Sequence, residues 1–265
     1  MAECRGKLVA LRAICDFEVI DESDDWIVVS KPAPLVVHPA NGSVEPTLLG
    51  GLEILLSSEL AGGGGLSILT RLDRETSGLV LVAKNRKAAK LLADQLMERT
   101  AEKVYLAIVH GWPAWEEVLM DQPILRAGSV GHSPIWLRQK VHPDGKASKT
   151  RLRLVEKRCA GDTRISVIEC RPETGRTHQI RVHLEHAGFP LVGDKIYGTD
   201  GSAYLAQIAD GLTPDMESRL LLPRHALHAL RLSVGWAGDR VSWESPLPHD
   251  LTRFLEDSDL AEAHG

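Results

Sequence analysis

The 265-residue sequence predicts an α+β fold with a mixed, mainly antiparallel central sheet and flanking helices. Three observations predict it. Strand-like runs come in hairpin pairs, as at 148–170. Helical stretches fall among them without the strict strand–helix–strand alternation of a parallel sheet. A hydrophobic fraction of 43% is enough to bury a sizeable core, in one large domain or two small ones.

The elements follow in order. Trp26–Val29 is a short β-type run, then a Pro-punctuated turn leads to a second run at Leu35–Val37. "TLLGGLEILLSSEL" reads as helix with Thr47 as its cap, and "AGGGGL" (61–66) is a flexible loop too short to separate domains. "GLVLVAK" (78–84) is apolar almost throughout, the pattern of a strand buried on both faces. Asn85 caps a helix whose Ala88, Ala89, Leu92 and Leu96 form one stripe. "KVYLAIVHG" (103–111) is a strand stopped at Gly111-Trp112-Pro113. The 148–170 hairpin turns at "CAGD", and Leu152 and Leu154 alternate on its first strand. Thr177 can cap a short helix with Ile180 and Leu184 on its apolar side, ended by Gly188 and Pro190. "HALHALRLSVGW" is a late helix or strand. The expected division is an N-terminal extension at 1–15, one main domain at 16–256 and a disordered tail at 257–265.

Composition narrows the function classes. No apolar run reaches the roughly 18–20 residues of a membrane span. The first fifteen residues lack an uninterrupted apolar stretch, so no secretory signal is expected. The four cysteines show no CxxC spacing and read as reduced thiols, which points to the cytoplasm; Cys159 and Cys170 could face each other across the hairpin. A P-loop, a dinucleotide fingerprint and a GxSxG elbow are all missing, so neither a nucleotide cofactor nor a serine triad is expected. The net charge of −5 conceals segregation: Arg138 to Arg158 holds eight basic residues against two acids, while Asp200 to the end holds eleven acids against five bases. Such a basic run is either a solvated strand pair or a phosphate-binding face.

Three stretches carry candidate chemistry. In "LTRLDRETSGLVLVAK" (69–84), Asp73 stands between Arg71 and Arg74 ahead of the apolar strand. It is a surface ion pair or an active-site carboxylate, with Thr76, Ser77 and Gly78 as a turn that would hold it at the strand's head. Tyr105 sits among apolar strand neighbours, as a half-buried core residue or as a ring at a pocket edge. In "GRTHQIRVHLEHAGFPLVGDKIYG" (175–198), His178, His183 and His186 have spacing that supports zinc only weakly, and a polar or packing role ranks above it. Arg176 lies before the helix and Arg181 within its first turns; one can bind phosphate while the other points to a carboxylate. Glu75, two residues from Asp73, would be the partner if the pair were a glycoside hydrolase's carboxylates.

Taken together, "RLDRETSGLVLVAK", "KVYLAIVHG", "RPETGRTHQIRVHLEHAGFPLVGDKIYG" and "RHALHALRL" resemble, in that order, the motifs of the RluA-type pseudouridine synthases. "IVVSKPAPLVVHPA" and "DGKASKTRLRLVE" match too, and the resemblance covers about residues 16 to 255. It implies a sheet with a catalytic cleft along it and isomerisation of uridine in ribosomal or transfer RNA. It implies Asp73 as the catalytic carboxylate, Tyr105 as the ring that stacks on uracil, and Arg181 as the basic residue that pairs with the aspartate. Arg71 is implied to contact RNA near the flipped nucleotide; Arg176, His178, Lys140, Lys146 and Lys149 are placed with it as RNA-contacting residues. Asp73 would attack carbon 1′ or remove a proton from carbon 2′. No cofactor and no metal are expected, and a monomer is. The alternative is an inactive RNA-binding protein of the same fold. Two departures stand out: Thr70 replaces the His common before Arg-Leu-Asp, and only about fifteen residues precede the match, so the small N-terminal RNA-binding domain of many members is not expected.

Overall fold

A computed structural model of the chain describes residues 16–38 and 45–260. They form two compact units. One runs to Glu102 and includes Ala229–Pro246; the other comprises Lys103–His228 and the described residues from Leu247.

The first unit is built on β1 (Glu18–Glu22), β2 (Trp26–Lys31), the helices α1 (Leu48–Leu55) and α2 (Ser57–Ala61), the short β3 (Ser67–Ile68), β4 (Ser77–Ala83) and α3 (Arg86–Glu98). Antiparallel pairing joins β1 to β2, and β2 and β3 to β4. Every residue of β4 is buried, which explains its unbroken apolar run. Leu79, Leu81 and Ala83 pack with Trp26, Val28, Ala88 and Leu92, while Val80 and Val82 pack with Ile27, Val29, Leu48 and Leu52. Both predicted caps form: the Thr47 side chain accepts from Gly50 N at 3.1 Å and that of Asn85 from Ala88 N at 2.9 Å.

The second unit contains β5 (Glu102–His110) from Lys103 onward, β6 (Glu117–Met120), β7 (Ile124–Arg126), β8 (Gln139–Val141), β9 (Thr150–Ala160), β10 (Thr163–Pro172), α4 (Gln179–His186), α5 (Ser202–Ala209) and α6 (Pro214–Leu220). β10 lies between β5 and β9, β6 pairs with β9, and β7 pairs with β8, all antiparallel. The late segment is a strand, β11 (Leu227–Trp236), which from Ala229 onward belongs to the first unit; it lies beside β4 and pairs with β12 (Asp239–Glu244). The second unit ends in α7 (His249–Glu256) and β13 (Asp259–Leu260). The sheet strands with their flanking helices make an α+β architecture, as the hairpin pattern implied.

Several local expectations differ. Leu35–Val37 forms no strand, only a parallel bridge between Val36 and Thr47, and the Leu35 carbonyl accepts from the Lys31 ammonium at 2.9 Å. Thr177 does not cap α4. His178 precedes it in the left-handed region (φ 54°), and the Gln179 side chain takes the free Arg176 N–H at 3.0 Å. Within the stretch expected as a tail, Asp259 and Leu260 pair with Cys159 and Arg158 at the edge of β9. Cys159 stands opposite Arg164 and Cys170 opposite Leu152, so the hairpin does not bring the two thiols face to face. No described helix is long and apolar enough to cross a membrane.

One glycine fixes the strand that follows the Asp73 loop. Gly78 adopts φ 107°, and a Cβ there would lie 2.7 Å from the Ala229 nitrogen. Gly161, at the hairpin turn with φ 55°, has open space around it. Gly78→Ala should therefore lower the unfolding free energy by about 2–4 kcal/mol in denaturant titration, and Gly161→Ala by only about 1 kcal/mol.

Candidate functional site

In the first unit the Asp73 loop is tied down at several points. Leu69 N donates to the Leu81 carbonyl at 2.9 Å, and Leu81 N donates to Thr70 Oγ1 at 2.8 Å. The Thr70 hydroxyl thus stands in for a backbone carbonyl and fastens the loop to the buried strand. Thr76 N donates to the Asp73 carbonyl at 3.1 Å and closes a turn over Arg74–Glu75. The predicted turn at Thr76–Gly78 lies earlier than expected, because Ser77 and Gly78 already belong to β4. From the other side, the fully buried Lys31 donates to the carbonyls of Pro32 and Leu35 at 2.9 Å and of Arg74 at 3.2 Å. Leu35 N donates to that same Arg74 carbonyl at 2.9 Å. Asp73 itself is half-buried.

The surface ion pair that sequence left open does not form with the flanking arginines. Arg74 is turned to Glu45 at 3.8 Å, with both side chains more than half exposed. Arg71 is exposed and has no carboxylate within ion-pair distance among the described residues.

In the second unit Arg181 is buried and directs Nε and Nη2 to Asp194 Oδ2 and Oδ1 at 2.7 and 2.9 Å. Asp194 Oδ1 also accepts from the backbone N–H groups of Ile196 and Tyr197 at 2.9 and 3.1 Å. Burial works to raise the Asp194 carboxyl, but the charge and hydrogen bonds of Arg181 hold it well below the usual range. The Arg181 guanidinium also lies over the Tyr197 ring, 4.9 Å from its centre.

Gln179 fills every polar valence it has. Its Oε1 accepts from Thr174 Oγ1 and Arg176 N at 2.7 and 3.0 Å, while Nε2 donates to the Lys149 carbonyl and Thr150 Oγ1 at 2.8 and 2.9 Å. This pins the segment that bears Arg176 to the start of β9. Arg176 Nε reaches the Ala147 carbonyl at 3.1 Å, between Lys146 and Lys149.

The histidines separate. His178 Nδ1 meets the Tyr197 hydroxyl at 2.9 Å, and His186 is exposed. His183 is buried between the Gln122 carbonyl (Nε2, 3.0 Å) and Thr150 Oγ1 (Nδ1, 2.8 Å). A carbonyl only accepts, so Nε2 carries the proton, and Nδ1 receives that of Thr150. Burial lowers the His183 pKa, and that of His110 as well. Tyr105 is half-buried on β5 opposite Cys170, against a cluster that includes Ala107, Leu152 and Ile168. Lys103, two residues before it, is pulled down from the ordinary lysine range by burial.

The basic run divides into two sets. Arg138, Arg151, Arg153 and Arg158 pair with Glu185, Glu117, Glu169 and Glu156 at 2.7 to 3.3 Å. Lys140, Lys146 and Lys149 are exposed and have no carboxylate partner among the described residues. Sequence reasoning missed Lys31, Gln179, Asp194 and Tyr197 as individuals, although each lies inside a quoted motif.

A family model described as RNA pseudouridylate synthase matches residues 25–186. The chain belongs to the RNA pseudouridylate synthase family. The matched span holds Arg71, Asp73, Tyr105, Lys140, Lys146, Lys149, Arg176, His178 and Arg181. A protein of Nitrosomonas europaea named ribosomal large subunit pseudouridine synthase D is 40% identical over 90% of this chain and 64% of its own length. One of the same name from Pseudomonas aeruginosa is 39% identical over 91% of this chain and 71% of its own. The chain thus spans a little under two thirds of the Nitrosomonas relative. The solved human RNA pseudouridylate synthase domain containing 1 superposes with a TM-score of 0.70, at 25% identity, over 94% of this chain and 90% of that one. A second human structure, RNA pseudouridylate synthase domain containing 4, shares the fold with a TM-score of 0.71 at 22% identity, over 96% and 97% of the two chains.

Two measurements test this geometry in a member of the family. Thr70→Val should cost about 1–3 kcal/mol in denaturant titration, since it orphans a buried N–H, whereas Thr70→Ser should retain most of the stability. For the histidines, a folded pKa below the ordinary value of about 6.5 means that the unfolded chain binds protons first. Their contribution is therefore complete above about pH 6.5 and is lost as pH falls toward the folded values. The thermal midpoint should drop between about pH 7.5 and pH 5, and His183→Asn should flatten that dependence.

Proposed function

We propose that this chain is an RNA pseudouridine synthase that isomerises specific uridines in structured RNA, ribosomal or transfer, to pseudouridine. The observation that carries the reading is the Asp73 loop. A half-buried carboxylate is held on a loop fastened to a buried strand, while Arg74 beside it is turned to Glu45. The names of the relatives support ribosomal RNA as the first substrate class to try.

The reaction breaks the bond between N1 of uracil and carbon 1′, turns the base and joins carbon 5 to carbon 1′. A proton leaves carbon 5 and N1 gains one. Nothing is oxidised or reduced, so the chemistry calls for no redox cofactor. It calls for an ionised carboxylate at the ribose, and that is the role assigned to Asp73, as nucleophile at carbon 1′ or base at carbon 2′. A buried carboxyl would otherwise resist ionisation, and Arg181 is assigned to hold it charged. Asp194 sets the heading of that guanidinium through Nε and Nη2. Tyr105 takes the flipped uracil by stacking, which offsets part of the few kcal/mol that unstacking costs. Arg71, Arg176, His178, Lys140, Lys146 and Lys149 are assigned to the RNA backbone. His178, held in a left-handed conformation beside Arg176, fits a residue whose placement matters. The catalytic region is taken as 16–256, acting as a monomer in the cytoplasm.

Unmodified total RNA incubated with the protein should gain pseudouridine at discrete sites, mapped at nucleotide resolution. Asp73→Asn should lower turnover by more than about a thousandfold while RNA affinity stays within a few-fold. RNA binding without any new pseudouridine would favour the inactive binding protein instead.

A further inference from the structure

The loop between β7 and β8 carries an exposed ring to which the isomerisation gives no role. Trp136 is 74% exposed and Leu137 beside it 49%. The Arg126 guanidinium lies 3.6 Å from the centre of the Trp136 ring. Large rings are seldom left this open, because their apolar surface favours burial.

The loop is anchored on either side of the ring. Ile135 is buried with Ile124, Val182, Ile196 and Tyr197. Its carbonyl accepts from Ser133 Oγ at 2.9 Å and Arg138 N at 3.2 Å. The Arg138 side chain donates to the Asp200 carbonyl and to Glu185, and Gln139 N donates to the Tyr197 hydroxyl at 3.0 Å. Trp136 is thus presented by a fixed segment.

Charge indicates what covers it. Arg126, Lys140 and Lys146 have no carboxylate partner among the described residues, whereas Arg138, Arg151 and Arg153 close by in sequence are all paired. Lys140 stands opposite Leu125 and next to Gln139, which faces Arg126; Lys146 exchanges both backbone bonds with Ile124. An open indole backed by a guanidinium, among unbalanced cations, suits a ligand with both a flat π-face and negative charge.

We propose that Trp136, backed by Arg126, is a stacking platform for an unpaired nucleobase of the RNA other than the target uridine, with Lys140 and Lys146 on the adjoining phosphates. This rests on the reading of the chain as an RNA-acting enzyme. Stacking on a side chain needs a base whose face is free, so the ligand is a single-stranded or loop nucleotide rather than duplex.

The test is binding of an oligouridylate of about 12 nucleotides, and of a duplex of equal length, followed by fluorescence anisotropy across a salt series. Trp136→Ala should weaken oligouridylate binding by about fivefold to a hundredfold, and Trp136→Phe by less than about threefold. The slope of log affinity against log salt should be unchanged in Trp136→Ala and shallower by about 0.7 in each of Lys140→Ala and Lys146→Ala. Because the ring is exposed, the thermal midpoint should not move. Equal oligouridylate affinity for Trp136→Ala and wild type would overturn the platform, and so would an equal loss on duplex. If the wild type forms pseudouridine and binds RNA while Trp136→Ala matches it, only this inference falls; if the wild type binds neither RNA, the enzyme reading falls with it.

Discussion

Arg181 and Asp194 meet in the interior of the second unit, with two guanidinium nitrogens and both carboxylate oxygens engaged. Taking two charges out of water costs several kcal/mol each, and such a pair is weak evidence of stability by itself. Apolar residues could fill the same volume at no loss. What the pair supplies is orientation. Asp194 also collects the N–H groups of Ile196 and Tyr197, so the turn after α4 is bent around one carboxylate. Tyr197 in turn holds His178 and the start of β8 through a single hydroxyl. A guanidinium clamped along its Nε edge keeps one heading, and that heading does not fluctuate with side-chain rotamers.

The first unit solves the same problem with backbone rather than charge. β4 is buried on both faces, and its antiparallel register against β2 runs unbroken from Trp26 opposite Ala83 to Lys31 opposite Gly78. Leu81 receives the Asp73 loop through one N–H and one carbonyl, and Lys31 secures the Arg74 carbonyl from below. At Thr70 the side-chain hydroxyl takes a backbone acceptor's place. The apolar run thus acts as a rigid mount, and the polar residues ahead of it set where the carboxylate hangs.

Periodicity and capping made much of this legible. β4, α3, the β9–β10 hairpin and the caps at Thr47 and Asn85 all follow from local patterns, because each is decided by residues within one element. The left-handed His178 and the failed Thr177 cap were not legible, since they depend on Gln179 reaching back to Thr174, Arg176 and Lys149. Nor was the Lys31 contact with the Arg74 carbonyl, which spans 43 positions. The site residues came from motif order rather than spacing. Composition by itself gave Asp73 no advantage over a surface pair, and only geometry removes Arg74 to Glu45. Asp194 lay within a quoted motif, but its role requires knowing that it is buried.

Charge is where the average and the structure diverge most. The net charge of −5 would repel a polyanion if it were spread evenly. Pairing redistributes it. The arginines at 138, 151, 153 and 158 each meet a glutamate and so present little field to solvent. The lysines at 140, 146 and 149 do not, and they lie on segments whose backbone is held by Ile124, Thr174 and Gln179. Where the backbone is already held, only the side chain remains to be ordered on a phosphate, so less of the binding energy is lost to entropy. Lysine suits such a position because it is a point charge on a flexible stem that follows a phosphate, whereas arginine's planar fork matches carboxylates at set geometry. The division between the two cation types along one stretch of chain therefore separates arginines paired within the fold from lysines that have no carboxylate partner among the described residues.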